Sequence, residues 1–455
     1  MSQADPAPVA AGRRGVPVAS LAVAAWVVAL SFFVLLGSDL LWVVALGDTV
    51  RATGGVPEGI PFATAPQDGW HNPVVLAELL LSVVAGLGTP ALAALQLVLV
   101  AGTLLVVLAD GRRAGGSELR GALVVSLVVV GAAAPFAVTR LPSLSLVPFV
   151  LAVALMRRQH ERPDRGLWWM VPLVALWGNL HGAVLVGLAV LGVFLVLSPG
   201  GGPWTRRVGV GAGSAVAALL TPAGLSTPAY YAQALGNEAA VRGTDLWARP
   251  SLGHPLDVAM LAAAAVLLAL AARARMPLWE WAAAVGLALG TASAARNGVW
   301  LLLFLAAAAM RPRAAAEPAP SPAARRSAVP PVALGAAAVV AGVVLAGRGP
   351  AVGPPGQAAV GAVREVAAGR PVLAVEPFAE TLAREGVRVW AANPVDAFPQ
   401  AVQAAYLDFL HDGTVPVGAD VGVVVVEQDE TAPVVADGWR VVREVGGYAV
   451  LERDG

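Results

Sequence analysis
The chain has 455 residues, of which 57% are hydrophobic and 13% charged, with no net charge. A soluble globular protein carries about 25% charged residues, so this composition excludes a fold whose whole surface faces water, and a mean hydropathy of +0.72 makes lipid the solvent for most of it. There is no cysteine, which excludes disulfides, thiolate metal sites and cysteine nucleophiles.

Arg13 and Arg14 precede an apolar run over 16–36 that ends in Gly37-Ser38-Asp39 without an Ala-x-Ala cleavage site. The run is also longer than the apolar core of a secretory signal, so it reads as a retained first span rather than a cleaved one. Crossing a bilayer takes about 20 apolar residues. On that criterion spans fall near 15–37, 90–109, 119–138, 142–156, 166–179, 180–198, 207–222, 255–272, 277–295, 297–310 and 329–347. The apolar stretch 73–87 begins at Asn72-Pro73, carries Glu78 and ends in Gly86-Leu87-Gly88. It reads as an interfacial or re-entrant helix.

Every basic Lys/Arg-type residue is arginine, and the map sorts these residues by side. With the N-terminus inside, inner segments hold 17 arginines and the opposite loops hold 5 before the tail begins, namely Arg51, Arg140, Arg242, Arg249 and Arg296. That asymmetry is the one the positive-inside rule requires. The expected protein is therefore an α-helical polytopic membrane protein of about eleven spans in the plasma membrane. It comprises a cytoplasmic N-terminal tail (1–14), a membrane domain (15–348) with a first outer loop at 38–89, and an extracytoplasmic C-terminal domain (349–455). The stretch 314–326, rich in Ala, Pro, Ser and Arg, is expected to be a flexible inner linker.

After residue 348 the pattern changes to short apolar runs bounded by Gly, Pro and charge. Runs at 372–375, 387–390, 421–426, 439–442 and 448–451 read as strands, and 361–368 and 400–410 as helices. Interleaved strands and helices predict a small α/β domain. It contains no phosphate-binding glycine loop, metal cluster or nucleophile elbow.

Ionisable residues at a membrane surface carry a cost and point to function. The first outer loop holds Asp39, Asp48, Arg51, Glu58, Asp68, His71 and Glu78. Asp39 stands where the first span leaves the membrane, placed to act as a general base or to ligate a hard divalent cation, Mg or Mn, that bridges phosphate. Asp48, nine residues on, points to the opposite face if the segment is helical. Glu78 on the interfacial helix is the acid that would return toward Asp39. Asn179 and His181, in Trp177-Gly178-Asn179-Leu180-His181-Gly182, stand at the outer turn between two short spans. They would either line a protected cavity or satisfy backbone groups freed by the turn. Arg140, Arg249 and Arg296 lie on the arginine-poor side, where a guanidinium fork suits phosphate. Trp42, Trp70, Trp168, Trp169, Trp247 and Trp279 read as interface anchors rather than sugar-stacking platforms.

The order of these features resembles the GT-C superfamily of multi-span glycosyltransferases, and within it a bacterial branch of membrane proteins. The resemblance is carried by Asp39-Leu40-Leu41-Trp42, Gly54-Gly55-Val56-Pro57, Pro61-Phe62-Ala63-Thr64-Ala65 and Trp70-His71-Asn72-Pro73-Val74-Val75-Leu76-Ala77-Glu78. It continues in Arg140-Leu141-Pro142, the Trp177–Gly182 motif and Thr221-Pro222-Ala223-Gly224. It implies a sugar donor on polyprenyl phosphate, an outer-face acceptor and site, and an acidic first-loop residue, here Asp39. The expected partners are membrane lipid and a polyprenyl-phosphate sugar, not nucleic acid; oligomeric state is left open. Val43 stands where the branch has a loop histidine, and Pro73 and Val74 where it has a His-Glu pair. Two functions stay open on this pattern. One is sugar transfer; the other is a non-catalytic relative acting in envelope assembly or lipid handling. A secondary transporter fits less well, since no inverted repeat is visible.

Overall fold
The computed structural model describes residues 17–67, 69–244, 247–312 and 331–453. The expected inner tail 1–14 and linker 314–326, together with Asp68, lie outside the described residues. In chain order the helices are α1 (Val18–Ser31), α2 (Leu40–Thr53), α3 (Val75–Ala85), α4 (Thr89–Arg113), α5 (Glu118–Gly131), α6 (Ala133–Ala137), α7 (Leu146–Glu161), α8 (Met170–Gly178), α9 (Val184–Leu197) and α10 (Trp204–Ala217). They continue as α11 (Thr227–Leu235), α12 (Glu238–Arg242), α13 (Pro255–Arg273), α14 (Leu278–Ser293), α15 (Gly298–Met310) and α16 (Pro331–Arg348). The tail adds α17 (Val360–Ala367), α18 (Phe378–Arg384), α19 (Gln400–Asp412) and α20 (Thr431–Ala436).

Each of the eleven apolar runs contains a helix, but not each helix is long. Among the described residues, three helical segments have the length and composition to cross a membrane: Thr89–Arg113, Leu141–Glu161 and Pro255–Arg273. The others are shorter, and the run at 119–138 shows one reason. Pro135 has no N–H to continue the ladder, so the helix breaks between α5 and α6. The buried Gln96 side chain donates to the carbonyls of Pro135 and Phe136 at 3.0 and 3.1 Å. These carbonyls lie where α6 ends at Ala137, so Gln96 supplies the donors that the helix no longer does.

The bundle has two chemically distinct ends. At one end the start of α1 meets the α4–α5 turn, where the Ala19 N–H donates to Glu118 and Arg112 pairs with Glu118 at 2.8 Å. Arg157, Glu280 and Arg311 meet at that same end, on the termini of α7, α14 and α15. Arg157 is only 3% exposed, so it is a buried structural residue rather than a solvated loop charge. At the other end, Arg348 closes α16 against the carbonyls of Ser31 and Val34. That end also carries the first loop and the tail.

The tail forms a four-stranded sheet in the order β3 (Val372–Ala374), β4 (Val423–Glu427), β6 (Tyr448–Arg453), β5 (Trp439–Val445). β3 and β4 are parallel and the remaining pairs antiparallel. A separate short parallel pair, β1 (Leu35–Leu36) with β2 (Val138–Thr139), lies in the membrane domain. The run at 387–390 does not form a full strand. Val389 instead makes single bridges to Val372 and to Ala63 of the first loop.

That second bridge changes the domain picture. Thr64 and Ala65 donate to the carbonyls of Val389 and Trp390 at 2.9 Å, and Val389 donates to Phe62 at 3.0 Å. Trp42, Leu46, Ile60, Ala65 and Trp70 are buried in one apolar core with Val372, Phe378, Val389 and Trp390. The first loop and the tail therefore share a core, which the division at residue 348 did not anticipate. Trp42 is fully buried and meets Phe62 edge-on at 4.4 Å. Trp70 and Trp279 are also buried, so these three are core residues and not interface anchors. Trp168 and Trp169 are exposed as anchors should be.

Candidate functional site
The loop-and-tail end gathers residues that are far apart in sequence. The β1–β2 pair aligns Leu36 with Thr139, and the Gly37 N–H donates to the Thr139 carbonyl at 2.9 Å. This sets Asp39 beside Arg140, whose Nε donates to Asp39 Oδ1 at 3.1 Å. Gly37 permits the approach: a Cβ there would stand 2.5 Å from Arg140 Cγ. The pair is about one-fifth exposed on each side, so it opens to solvent without being immersed in it.

His181 lies in the turn between α8 and α9, recessed at the same end. Its Nδ1 accepts from the Ala183 backbone N–H at 3.0 Å and stands 3.2 Å from Ser145 Oγ. Ser145 Oγ itself accepts from Trp177 Nε1 at 2.8 Å, which leaves its proton for His181. With Nδ1 an acceptor, a neutral ring must carry its proton on Nε2. Burial, and then the positive charges of Arg296 and Arg140, push the imidazole pKa down to about 3. His181 is thus a neutral hydrogen-bond donor at ordinary pH, not a base.

Arg296 sits in the short turn between α14 and α15, with its guanidinium 3.4 Å above the centre of the Trp247 ring. Such stacking is worth about 0.5–2 kcal/mol and leaves the fork's edges free for an anion. Surrounding protein and the nearby Arg140 lower its pKa to about 10, still well within the charged range, while Asp396 opposes the shift. Trp247 is therefore the platform for an arginine rather than a lipid-facing anchor.

Glu78, on α3 in the first loop, is buried, and Asn72 Nδ2 reaches both its oxygens at 2.7 Å. Burial raises its pKa to about 7 against the lowering effect of Asn72. α3 lies close on α2 because Gly47 has no side chain; a Cβ there would be 2.1 Å from the Glu78 carbonyl oxygen. Asp48 points elsewhere on α2 and accepts from Ser82 at 2.5 Å.

The remaining expected residues are not part of this cluster. The Asn179 amide donates to the carbonyls of Ala175 and Leu220 at 2.8 and 2.6 Å, which fixes the turn and occupies its donors. Arg249 is exposed, as are Glu58 and His71. Among the described residues no three of His, Cys, Asp and Glu come together as metal ligands, and a guanidinium occupies Asp39 Oδ1.

Two residues at this end had no signal in the sequence. Tyr230 of α11 packs against both the bundle core and the shared loop-and-tail core. Its hydroxyl pKa is raised by burial, then by Asp396, Tyr231 and Glu78. Asp396, in the tail turn Val395–Ala397, faces Arg296 electrostatically across the domain boundary. Where the family resemblance expects polar groups, Val43 and Val74 are buried in one apolar cluster with Leu40, Val44, Ala77, Leu81 and Leu144.

No family model matches the sequence, and no curated protein matches it. Solved structures match through the fold. ArnT from Cupriavidus metallidurans, determined bound to undecaprenyl phosphate, aligns over 96% of this chain and 97% of its own at 16% identity and a TM-score of 0.52. The archaeal oligosaccharyltransferase AglB from Archaeoglobus fulgidus, determined with an inhibitory peptide and a dolichol-phosphate, aligns over 90% of this chain and 69% of its own at 11% identity, also with a TM-score of 0.52.

Proposed function
We propose that the chain, whose fold is GT-C-like, transfers a sugar from a polyprenyl-phosphate donor to an acceptor at the outer face of the plasma membrane. In this reading the arginine-rich end is cytoplasmic and the first loop and tail are extracytoplasmic. What carries it is that Arg140 and Arg296 lie near enough to one another and to the neutral His181 ring for their charges to act on both. Asp39 holds Arg140 through Nε alone, and among the described residues the two Nη groups of Arg140 and the whole guanidinium of Arg296 make no hydrogen bond. Guanidinium donors left open beside a neutral N–H suit a phosphate, which accepts several charge-assisted bonds at once. As the sugar leaves, the lipid phosphate gains negative charge, and fixed positive groups stabilise that change. Asp39 is a positioning group here, since its ion pair orients the fork.

A second reading has its own support. The buried apolar cluster around Val43 and Val74 leaves no polar chemistry where related sequences have it, as expected of a relative that binds lipid phosphate without transferring sugar. Envelope glycans of a deletion strain separate the two. If sugar transfer is correct, the wild-type gene restores a missing glycan and Asp39→Asn restores little of it. Full restoration by Asp39→Asn favours the non-catalytic reading.

A further inference from the structure
Proton traffic decides which acid does the work in a glycosyl transfer, and three of the acids at this end of the molecule lie beside the arginines, His181 or Tyr230. Asp39 is ion-paired to Arg140. Glu78 is buried under Asn72, which holds both its oxygens. The third is Asp396, whose Oδ2, like Glu380 Oε2 elsewhere in the tail, is buried with no hydrogen-bond partner among the described residues; of the two, Asp396 is the one on which Arg296 acts. Leaving a buried carboxylate oxygen unsatisfied is costly, so its persistence calls for a group that satisfies it at some stage. His181 cannot fill the role, because Ala183 N–H and Ser145 occupy its only lone pair.

We infer that Asp396, delivered from the C-terminal domain, takes the proton from the acceptor's hydroxyl, so that the active site is shared between the membrane bundle and the tail. The inference rests on the sugar-transfer reading above. The acceptor oxygen forms a bond to the sugar's C1 while its proton moves to the Asp396 carboxylate. The bond from C1 to the phosphate oxygen breaks with its electron pair, and polyprenyl phosphate leaves with one more negative charge against Arg140 and Arg296. The groups facing Asp396 are Arg296, from the turn after α14, and Tyr230, from α11. Burial raises the Asp396 pKa to about 6, and Arg296 and a backbone hydrogen bond limit the rise. A base in that range is deprotonated at neutral pH yet strong enough to accept a proton. The first loop is bridged to the tail at Val389, shortly before the turn that carries Asp396 in the sequence.

The test uses the full-length chain, in nanodiscs for binding of undecaprenyl phosphate and in a deletion strain for restored envelope glycan. Asp396→Asn keeps the shape and removes the base, Asp396→Glu moves the carboxylate by one methylene, and Asp408→Asn controls for loss of an exposed tail carboxylate. The expected result is undecaprenyl phosphate binding within about threefold of wild type for all variants, and glycan formation reduced ~100-fold or more by Asp396→Asn. Glycan restored in part by Asp396→Glu and in full by Asp408→Asn completes the expectation. Because the site faces the medium, pulse-labelling of glycan in cells held at external pH 5–8 should show the wild-type rate rising through about pH 6. The residual rate of Asp396→Asn should lack that rise. Full glycan restoration by Asp396→Asn, with normal lipid-phosphate binding, overturns the inference and leaves the transfer reading standing. Loss of lipid-phosphate binding in Asp396→Asn also overturns it, assigning the residue to the shape of the phosphate recess. Failure of the wild type to bind the lipid phosphate or restore any glycan removes the transfer reading itself.

Discussion

The two ends of the bundle bury charge in opposite styles. At the arginine-rich end Arg157 donates to Glu280 at 2.6 Å, to Asp110 at 3.1 Å and to the Phe304 carbonyl at 2.6 Å. Arg311 donates to both oxygens of Glu280 at 2.6 and 2.7 Å, and Arg113 completes Asp110 at 2.7 Å. All four carboxylate oxygens are satisfied, and nothing is left to bind a ligand. At the loop-and-tail end, Arg140 is tied through one nitrogen, Arg296 rests on a tryptophan face and Asp396 holds a bare oxygen. The first cluster is fully paired, whereas the second leaves guanidinium and carboxylate groups open.

This comparison can be broken by experiment, beginning with the largest effect. Glu280→Ala leaves two guanidinium groups without their shared acceptor, and removing one partner of a buried pair costs about 3–5 kcal/mol. Thermal unfolding of the purified chain should show a large loss, whereas Glu280→Gln should lose less because it keeps an acceptor. Arg296→Ala should cost unfolding stability no more than the ~0.5–2 kcal/mol of its stacking on Trp247, less than Glu280→Ala, and weaken undecaprenyl phosphate binding by ~10–100-fold, the value of about 1.5–3 kcal/mol for hydrogen bonds to a charged group. Equal stability losses in the two variants would erase the distinction between the ends.

Gly47→Ala forces a Cβ toward the Glu78 carbonyl and should cost about 1–3 kcal/mol by overpacking, read in the same unfolding assay. It tests whether the α2–α3 contact is as tight as its geometry. His181→Gln should reduce lipid-phosphate binding modestly while leaving the pH profile of transfer between 5 and 8 unaltered, since the ring stays neutral above about 3. A pH inflection that vanished in this variant would make His181 a titrating group. The smallest effect belongs to Arg242 and Asp408, which join α12 to the tail at 2.7 Å and are both partly exposed. Breaking a surface pair of this kind changes stability by about 0–1 kcal/mol.

Much of this was legible before any coordinates. Hydropathy located all eleven apolar runs because period and length survive in a single sequence. It did not show that one of them breaks before Pro135 and ends on the Gln96 side chain, since that depends on a helix about forty residues away in sequence. The tail's α/β class followed from interleaved patterns, but α18 and α20 are too short to give a helical period. The bridge from Ala63 to Val389 joins positions more than three hundred residues apart, a relation no local pattern carries. Asp39, Arg140, His181 and Arg296 drew attention as charges or turn polars at a membrane surface. Asp396, in an ordinary Pro-rich tail loop, drew none, because its significance lies in what the fold sets opposite it. Asn179 shows the reverse case: a conspicuous polar residue whose hydrogen bonds close a turn.

The central claim is that the loop-and-tail end receives a lipid-linked phosphate. Its most direct test is titration of undecaprenyl phosphate into the nanodisc-embedded chain, comparing wild type with the Arg140→Ala/Arg296→Ala double variant and with Arg112→Ala from the opposite end. The account predicts saturable binding that the double variant abolishes and Arg112→Ala leaves intact. Binding that is unchanged in the double variant, or lost instead with Arg112→Ala, would contradict it.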